Sequence, residues 1–193
     1  MTKDSALRES ITRIHRVLTD HSIQFHFTGG IASTYYGEPR FTQDLDIVLR
    51  ISCHASDIKS LISNLEKKYI LDETVITDAI KHRRMFQALD KSTFVKIDFY
   101  SDEKIPNELS RSVPTEILPG LTVPLVSVED AILSKLLWIK GGSEKAKRDI
   151  EGMMRANKHL QFEYIEKTAH LLGLSNLFKE MLSQVSIDNK KAE

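Results

Sequence analysis

The sequence predicts an α+β fold, a small mixed β-sheet flanked by helices and followed by a helical C-terminal part. Three observations lead there. Short segments with period-two apolar alternation are interleaved with amphipathic stretches over residues 1–126. From residue 127 onward only helical periodicity remains. Turn chemistry at Gly37, Pro39, Pro119-Gly120 and Gly141-Gly142 separates the segments. The expected organisation is therefore a core of residues 1–126 with a helical part, 127–193, packed on it.

The first stripe, Leu7, Ile11, Ile14 and Leu18, is spaced as one helical face, so a helix is expected over 4–20. Ile23 to Phe27 alternates like a half-buried strand and runs into Thr28-Gly29-Gly30; Ile31 to Tyr36 then reads as a short helix stopped by Gly37 and Pro39. Asp44 to Ile51 is a second strand, rich in aliphatic and β-branched residues. Ser56 is placed to cap a helix through Lys67 with Ile58, Leu61, Ile62 and Leu65 inside. Residues 69–77 fit no single pattern. Arg84–Leu89 and Thr93–Tyr100 read as strands joined at Asp90-Lys91, and Ile117–Val126, broken by prolines, as edge strand and loop. Ser127-Val128-Glu129-Asp130 resembles a capping box and opens a helix to Lys140; Ser143 caps another to Arg155. Helical pattern then continues to Val185, and residues 188–193 form a polar tail expected to fray.

Composition narrows the function classes. Lys plus Arg and Asp plus Glu are both 27, and the pI is near 7.1. No global charge therefore draws the chain to nucleic acid or an anionic membrane, although a local basic patch is compatible with it. No apolar run approaches the roughly 18 residues needed to span a bilayer, and the N-terminus lacks the apolar segment of a signal peptide, so no membrane association is expected. Cys53 is the single cysteine, which excludes an intramolecular disulfide and a thiolate-rich metal site and fits a reducing cytoplasm.

The chemistry-bearing segment is Gly29-Gly30, followed fourteen residues after Gly30 by Asp44-Leu45-Asp46. Residues two apart on a strand share a face, so Asp44 and Asp46 project together. Carboxylates held that close repel unless a cation lies between them, and hard oxygen ligands suit Mg²⁺. The diglycine sits between strand and helix, where the lack of a Cβ lets phosphate approach backbone N–H groups at a helix start. In Val95–Tyr100, the apolar set Val95, Ile97 and Phe99 faces one side, so Asp98 emerges on the polar face with Lys96 and Tyr100. As a third acid, Asp98 is suited to touch a metal and take a proton from an attacking hydroxyl. Taken singly, each acid also fits a solvated strand position and the diglycine an ordinary turn. The combination carries the inference.

The run F-T-G-G-I-A-S-T-Y-Y-G-E-P-R-F-T-Q-D-L-D-I, Phe27 to Ile47, resembles the signature of the polymerase-β-type nucleotidyltransferase superfamily. That signature is an apolar strand, Gly-Gly or Gly-Ser, a short helix and D-x-D, with another Asp on a later strand. With Gly37, Arg40 and Thr42 before D-L-D, the sequence is most similar to the AbiEii-type toxin nucleotidyltransferases and their uncharacterised bacterial relatives. A looser likeness extends to residue 155. The resemblance implies the nucleotidyltransferase fold and places Gly29, Gly30, Asp44, Asp46 and Asp98 at triphosphate-binding and metal-binding positions. The segment V-E-D-A-I-L-S-K-L-L-W and the later K-R-D are similar to the same family's helical lysine and Lys/Arg-Asp pair. By that likeness Lys135 binds triphosphate and Asp149 orients that lysine or a nearby group, across a short connection.

Arg40 and Thr42 precede the acids. Arg40 is suited to phosphate or base contact and Thr42 to hydrogen-bonding the Asp44 carboxylate; bracing the loop fits both equally. Lys81-His82-Arg83-Arg84 reads as a solvated face or as a guide for an RNA acceptor. The expected reaction is transfer of a nucleoside monophosphate from an NTP to a hydroxyl, with two Mg²⁺ ions as cofactor. Left open are a tRNA acceptor, as in a toxin with an antitoxin partner; a small-molecule acceptor, as in antibiotic-modifying enzymes; and a non-catalytic nucleotide-binding or partner-binding protein of a toxin–antitoxin-like pair.

Overall fold

The computed structural model describes residues 3–39, 42–51 and 54–191, with the side chains of 3–4 and 186–191 excepted. In chain order the elements are α1 (Lys3–Asp20), β1 (Gln24–Thr28), α2 (Gly29–Tyr36), β2 (Asp44–Arg50), α3 (Ala55–Leu65), β3 (Tyr69–Ile70) and α4 (Glu73–Lys81). There follow β4 (Met85–Asp90), β5 (Lys96–Tyr100), a 3₁₀ turn (Glu108–Arg111), β6 (Val113–Leu118), β7 (Leu121–Leu125), α5 (Val128–Lys140), α6 (Glu144–Ala156), α7 (Phe162–Leu171) and α8 (Ser175–Lys191). The strands form one mixed sheet in the order β3-β4-β5-β2-β1-β7-β6. β2 lies at its centre, antiparallel to β1 and parallel to β5. Among the described residues no helix is long and apolar enough to cross a membrane.

Period-two patterning fixes how β2 sits. Leu45, Ile47 and Leu49 are fully buried in the core with Phe27, Ile97 and Phe99, while Asp44, Asp46 and Val48 turn to the opposite face. Ile11, Ile14 and Leu18 of α1 and Ile58, Leu61 and Ile62 of α3 complete that core, and Phe86 stacks on Phe99 with centroids 5.0 Å apart. Each such side chain contributes about 1.5–3 kcal/mol by leaving water, so the register of β2 is strongly held.

Several expectations need correction. The ambiguous stretch after residue 68 is a two-residue strand and a helix, α4, capped by Asp72, whose side chain accepts from the Val75 N–H at 2.9 Å. Ser56 lies inside α3, where His54 is the N-cap residue. Residues 113–125 form a hairpin rather than an edge strand and loop: Pro119-Gly120 makes the turn and Pro114 opposes Pro124. The prolines are tolerated because β6 is an edge strand and β7 meets β1 in register only at Phe27↔Leu125. Ser143 precedes α6 without a side-chain capping bond. The backbone of the expected tail stays helical to Lys191.

Ser127 does cap α5, accepting from the Asp130 N–H at 3.2 Å, but the Asp130 side chain does not complete a capping box. Fully buried, its carboxylate receives Arg111 through Nε (2.8 Å) and Nη2 (3.0 Å), the Ser127 hydroxyl (2.9 Å) and the Tyr164 phenol (2.6 Å). The 3₁₀ turn, α5 and α7 are thereby tied to one anion. Removing the cation while leaving a buried carboxylate should be costly. Arg111→Met is expected to lower the unfolding free energy in urea by about 3 kcal/mol. Adding Asp130→Asn should recover part of that loss, since the amide needs no counter-charge.

Candidate active site

The site begins where β1 ends. Gly29 has φ +58, and a Cβ there would lie 1.9 Å from Asp46 Oδ2. Only glycine supplies both that backbone and that space. α2 starts at this residue, and the Gly30 N–H donates to Asp46 Oδ2 at 3.3 Å. The diglycine thus packs directly against the second acid of D-L-D.

Asp46 is the register partner of Thr28 on β1 and of Asp98 on β5. Register partners on adjacent strands point to the same face, and Asp44 joins them two residues upstream. Asp46 and Asp98 are 7% and 8% exposed, whereas Asp44 is half-buried. Tyr100 donates its hydroxyl to Asp46 Oδ1 at 3.2 Å. Asp98 accepts from Gln87 Nε2 at 3.0 Å and from Lys96 Nζ at 2.9 Å. The same ammonium stands 3.3 Å from Asp44 Oδ2. Burial pushes the Asp46 carboxyl above its ordinary range, and the charges of Asp98 and Asp44 push the same way; the Gly30 N–H and Lys135 oppose them. The Tyr100 phenol is likewise raised, by burial first and then by the neighbouring carboxylates.

On the β1 side stand Lys135 of α5 and Asp149 of α6. Their Nζ and Oδ2 atoms are 2.8 Å apart, and both side chains are almost wholly buried. The ammonium also lies over the Trp138 ring, 4.2 Å from its centroid. Ser33 Oγ is 2.9 Å from Gly29 O and 3.2 Å from Asp149 Oδ2, linking the pair back to the diglycine. Close backbone approach makes this possible: a Cβ on Gly37 would stand 2.9 Å from Ser33 O and 3.0 Å from Met153 N. The short turn between α5 and α6 folds the two helices side by side and brings lysine and aspartate together.

A hard cation suits this donor set, which is all carboxylate oxygen. Among the described residues no group of three or more acids, histidines or cysteines is arranged to hold a metal ion. Two of the three carboxylates turn instead to the Lys96 ammonium, so this face already draws a cation. The residues fit Mg²⁺ in kind, with Asp44 and Asp98 sharing a positive partner.

Not every sequence candidate gathers here. The Thr42 hydroxyl donates to the backbone carbonyl of Asp44 at 3.2 Å, not to its carboxylate. Arg40 lies outside the described residues. The Lys81–Arg84 cluster runs from the end of α4 into the turn before β4; His82 and Arg84 stand beside Asp78, and Arg83 pairs with Asp102. Met153 and Met154 are core residues. Sequence reasoning did not single out Ser33, Gln87, Lys96 or Tyr100 for the site; for the last two, the period-two spacing with Asp98 was the available signal.

Because the folded-state carboxyl of Asp46 is raised, the folded chain keeps a proton at pH values where the unfolded chain has lost it. Wild-type stability therefore falls as pH rises from the ordinary Asp range through the raised value. Asp46→Asn is expected to melt higher than wild type at pH 7, by about 2–4 °C per kcal/mol of relieved strain. Differential scanning calorimetry should find the gain shrinking as the pH is lowered through the carboxylate range.

Comparison with known proteins identifies the family and the fold. The family model "Nucleotidyl transferase AbiEii toxin, Type IV TA system" matches residues 14–155. No curated protein matches the chain. Among solved structures, an antigenic nucleotidyltransferase-like protein from Paracoccidioides brasiliensis superposes with TM-score 0.57 at 17% identity, over 94% of this chain and 93% of the other. The antibiotic-resistance factor ANT(2'')-Ia superposes with TM-score 0.51 at 15% identity, over 94% and 95%. At such identities the two structures show a shared nucleotidyltransferase fold. The family model spans most of the chain, and with it the diglycine, the three acids and the Lys135–Asp149 pair: this protein belongs to the AbiEii nucleotidyltransferase family.

Proposed function

We propose that this nucleotidyltransferase moves a nucleoside monophosphate from a Mg²⁺-bound NTP to a hydroxyl acceptor, with Asp44, Asp46 and Asp98 as metal ligands. The observation that carries the reading is the register pairing of Asp46 with Asp98, which sets three acids on one face beside the Gly29-Gly30 turn. Magnesium held by these carboxylates would supply acidification of the attacking hydroxyl and charge neutralisation on the triphosphate.

The remaining roles fall to the chain itself. The start of α2 presents its backbone N–H groups toward phosphate oxygens. Lys135, braced by Asp149 and through it by Ser33, offsets charge on the β- and γ-phosphates, and its burial strengthens that effect. These groups lie on the β1 side of Asp46, so an in-line acceptor approaches from the β5 side, where Asp98 can take its proton. Tyr100 and Gln87 keep Asp46 and Asp98 oriented. The family's toxin–antitoxin designation supports an antitoxin partner for this chain.

Incubation with each labelled NTP, Mg²⁺ and a mixture of tRNA, proteins and small molecules should label one acceptor class. Asp46→Asn and Asp98→Asn should each reduce labelling by about a hundredfold or more while circular dichroism stays native. Lys135→Met should raise the KM for NTP. Undiminished transfer by either aspartate variant would refute the metal assignment.

A further inference from the structure

The two lysines near the acids are held in opposite ways. Lys135 is almost wholly buried, flanked by Trp138 and bridged to Asp149, a residue outside the three-acid set. Lys96 is 41% exposed at the side chain, and its two ion-pair partners are Asp44 and Asp98, the carboxylates assigned above to metal. Lys96 also opens β5 at the end of the strand, where a flexible four-carbon stem can swing its ammonium into water. A lysine between two acids on an ordinary exposed strand is a weak, solvent-screened contact. Here the parallel register of β2 and β5, which pairs Asp44 with Lys96 and Asp46 with Asp98, keeps the two carboxylates on one face within reach of a single ammonium. Their repulsion has to be offset by whatever positive charge is present.

We propose that Lys96 is an exchangeable counter-ion built into the active site, which holds Asp44 and Asp98 together without metal and leaves when a divalent cation binds. The inference rests on the reading of the three acids as metal ligands and adds a determinant of metal affinity that those ligands do not include. Two physical consequences follow. Cation binding is an exchange, so its affinity is lower than three carboxylates alone would give, because a positive charge has to be expelled and then stays nearby. Removal of the ammonium leaves the two neighbouring carboxylates of the metal-free protein without their shared positive partner, and so lowers its stability.

The test is Mn²⁺ binding to the full chain, followed by electron paramagnetic resonance of the free ion, with melting temperatures read alongside. Lys96→Met should bind Mn²⁺ about tenfold more tightly than wild type. Without divalent ions it should melt below wild type, and saturating Mn²⁺ should close that gap. Lys96→Arg, which keeps the charge, should bind Mn²⁺ no more tightly than wild type. Lys91→Met, which removes a lysine in the β4–β5 turn that hydrogen-bonds the Glu66 carbonyl, should behave as wild type and controls for general charge. A Lys96→Met protein that folds only with Mn²⁺ would support the exchange as well. Equal or weaker Mn²⁺ binding by Lys96→Met overturns the exchange; if Asp98→Asn still abolishes binding, the metal ligands stand. Absence of Mn²⁺ binding by wild type and Lys96→Met alike overturns both.

Discussion

Repulsion among three carboxylates on one face of a sheet is the constraint around which this molecule is arranged. β2 cannot relieve it by turning, because Leu45, Ile47 and Leu49 are locked in the core behind it and a one-residue slip would bury the acids instead. The relief comes from neighbours. A backbone N–H from Gly30 and a phenol from Tyr100 meet Asp46, and an amide from Gln87 meets Asp98. The Lys96 ammonium spans Asp98 and Asp44. These contacts come from α2, β4 and β5, so the surrounding fold is organised as a coordination sphere for negative charge. A face built at this cost makes sense where a multivalent cation and a triphosphate are to be held.

Much of this was legible because period-two geometry is local. The pairing of Asp44 with Asp46, and the emergence of Asp98 on the polar side of its strand, need only the rule that alternate residues share a face. That β2 and β5 are neighbours, with Asp46 opposite Asp98, is a long-range fact that periodicity did not supply; the family likeness implied only that the three acids serve one site. The Lys135–Asp149 pair was legible by likeness alone, since a lysine on an amphipathic helix usually points to water. What stayed hidden has a common cause. Tyr100 with Asp46, Lys96 with Asp44, and Ser33 with Asp149 are contacts between side chains remote in sequence, settled by packing rather than by pattern. In the fold, α4 escaped notice because its cap, Asp72, follows too short a strand to mark a boundary. The β6–β7 hairpin did so because prolines in strands argue against strands unless their sheet position is known.

The helical C-terminal part does more than cover the core. Asp130 gathers Arg111, Ser127 and Tyr164 on one buried carboxylate, and α5 and α6 carry the buried Lys135–Asp149 pair. Half of the candidate site therefore comes from helices and half from the sheet. The geometry of the candidate site depends on how the two are docked, and the likeness to ANT(2'')-Ia and the Paracoccidioides protein covers 94% of this chain in each case.

That docking has no cushion at one crossing. Where the chain leaves α2, Gly37 meets the backbone of α6 with no side chain to absorb a change in spacing. A single extra carbon there would act as a wedge, prying α6 outward and taking the carboxylate of Asp149 with it. In a survey of inactive alleles, this uncharged crossing would therefore read as part of the catalytic apparatus, though nothing in it touches a substrate.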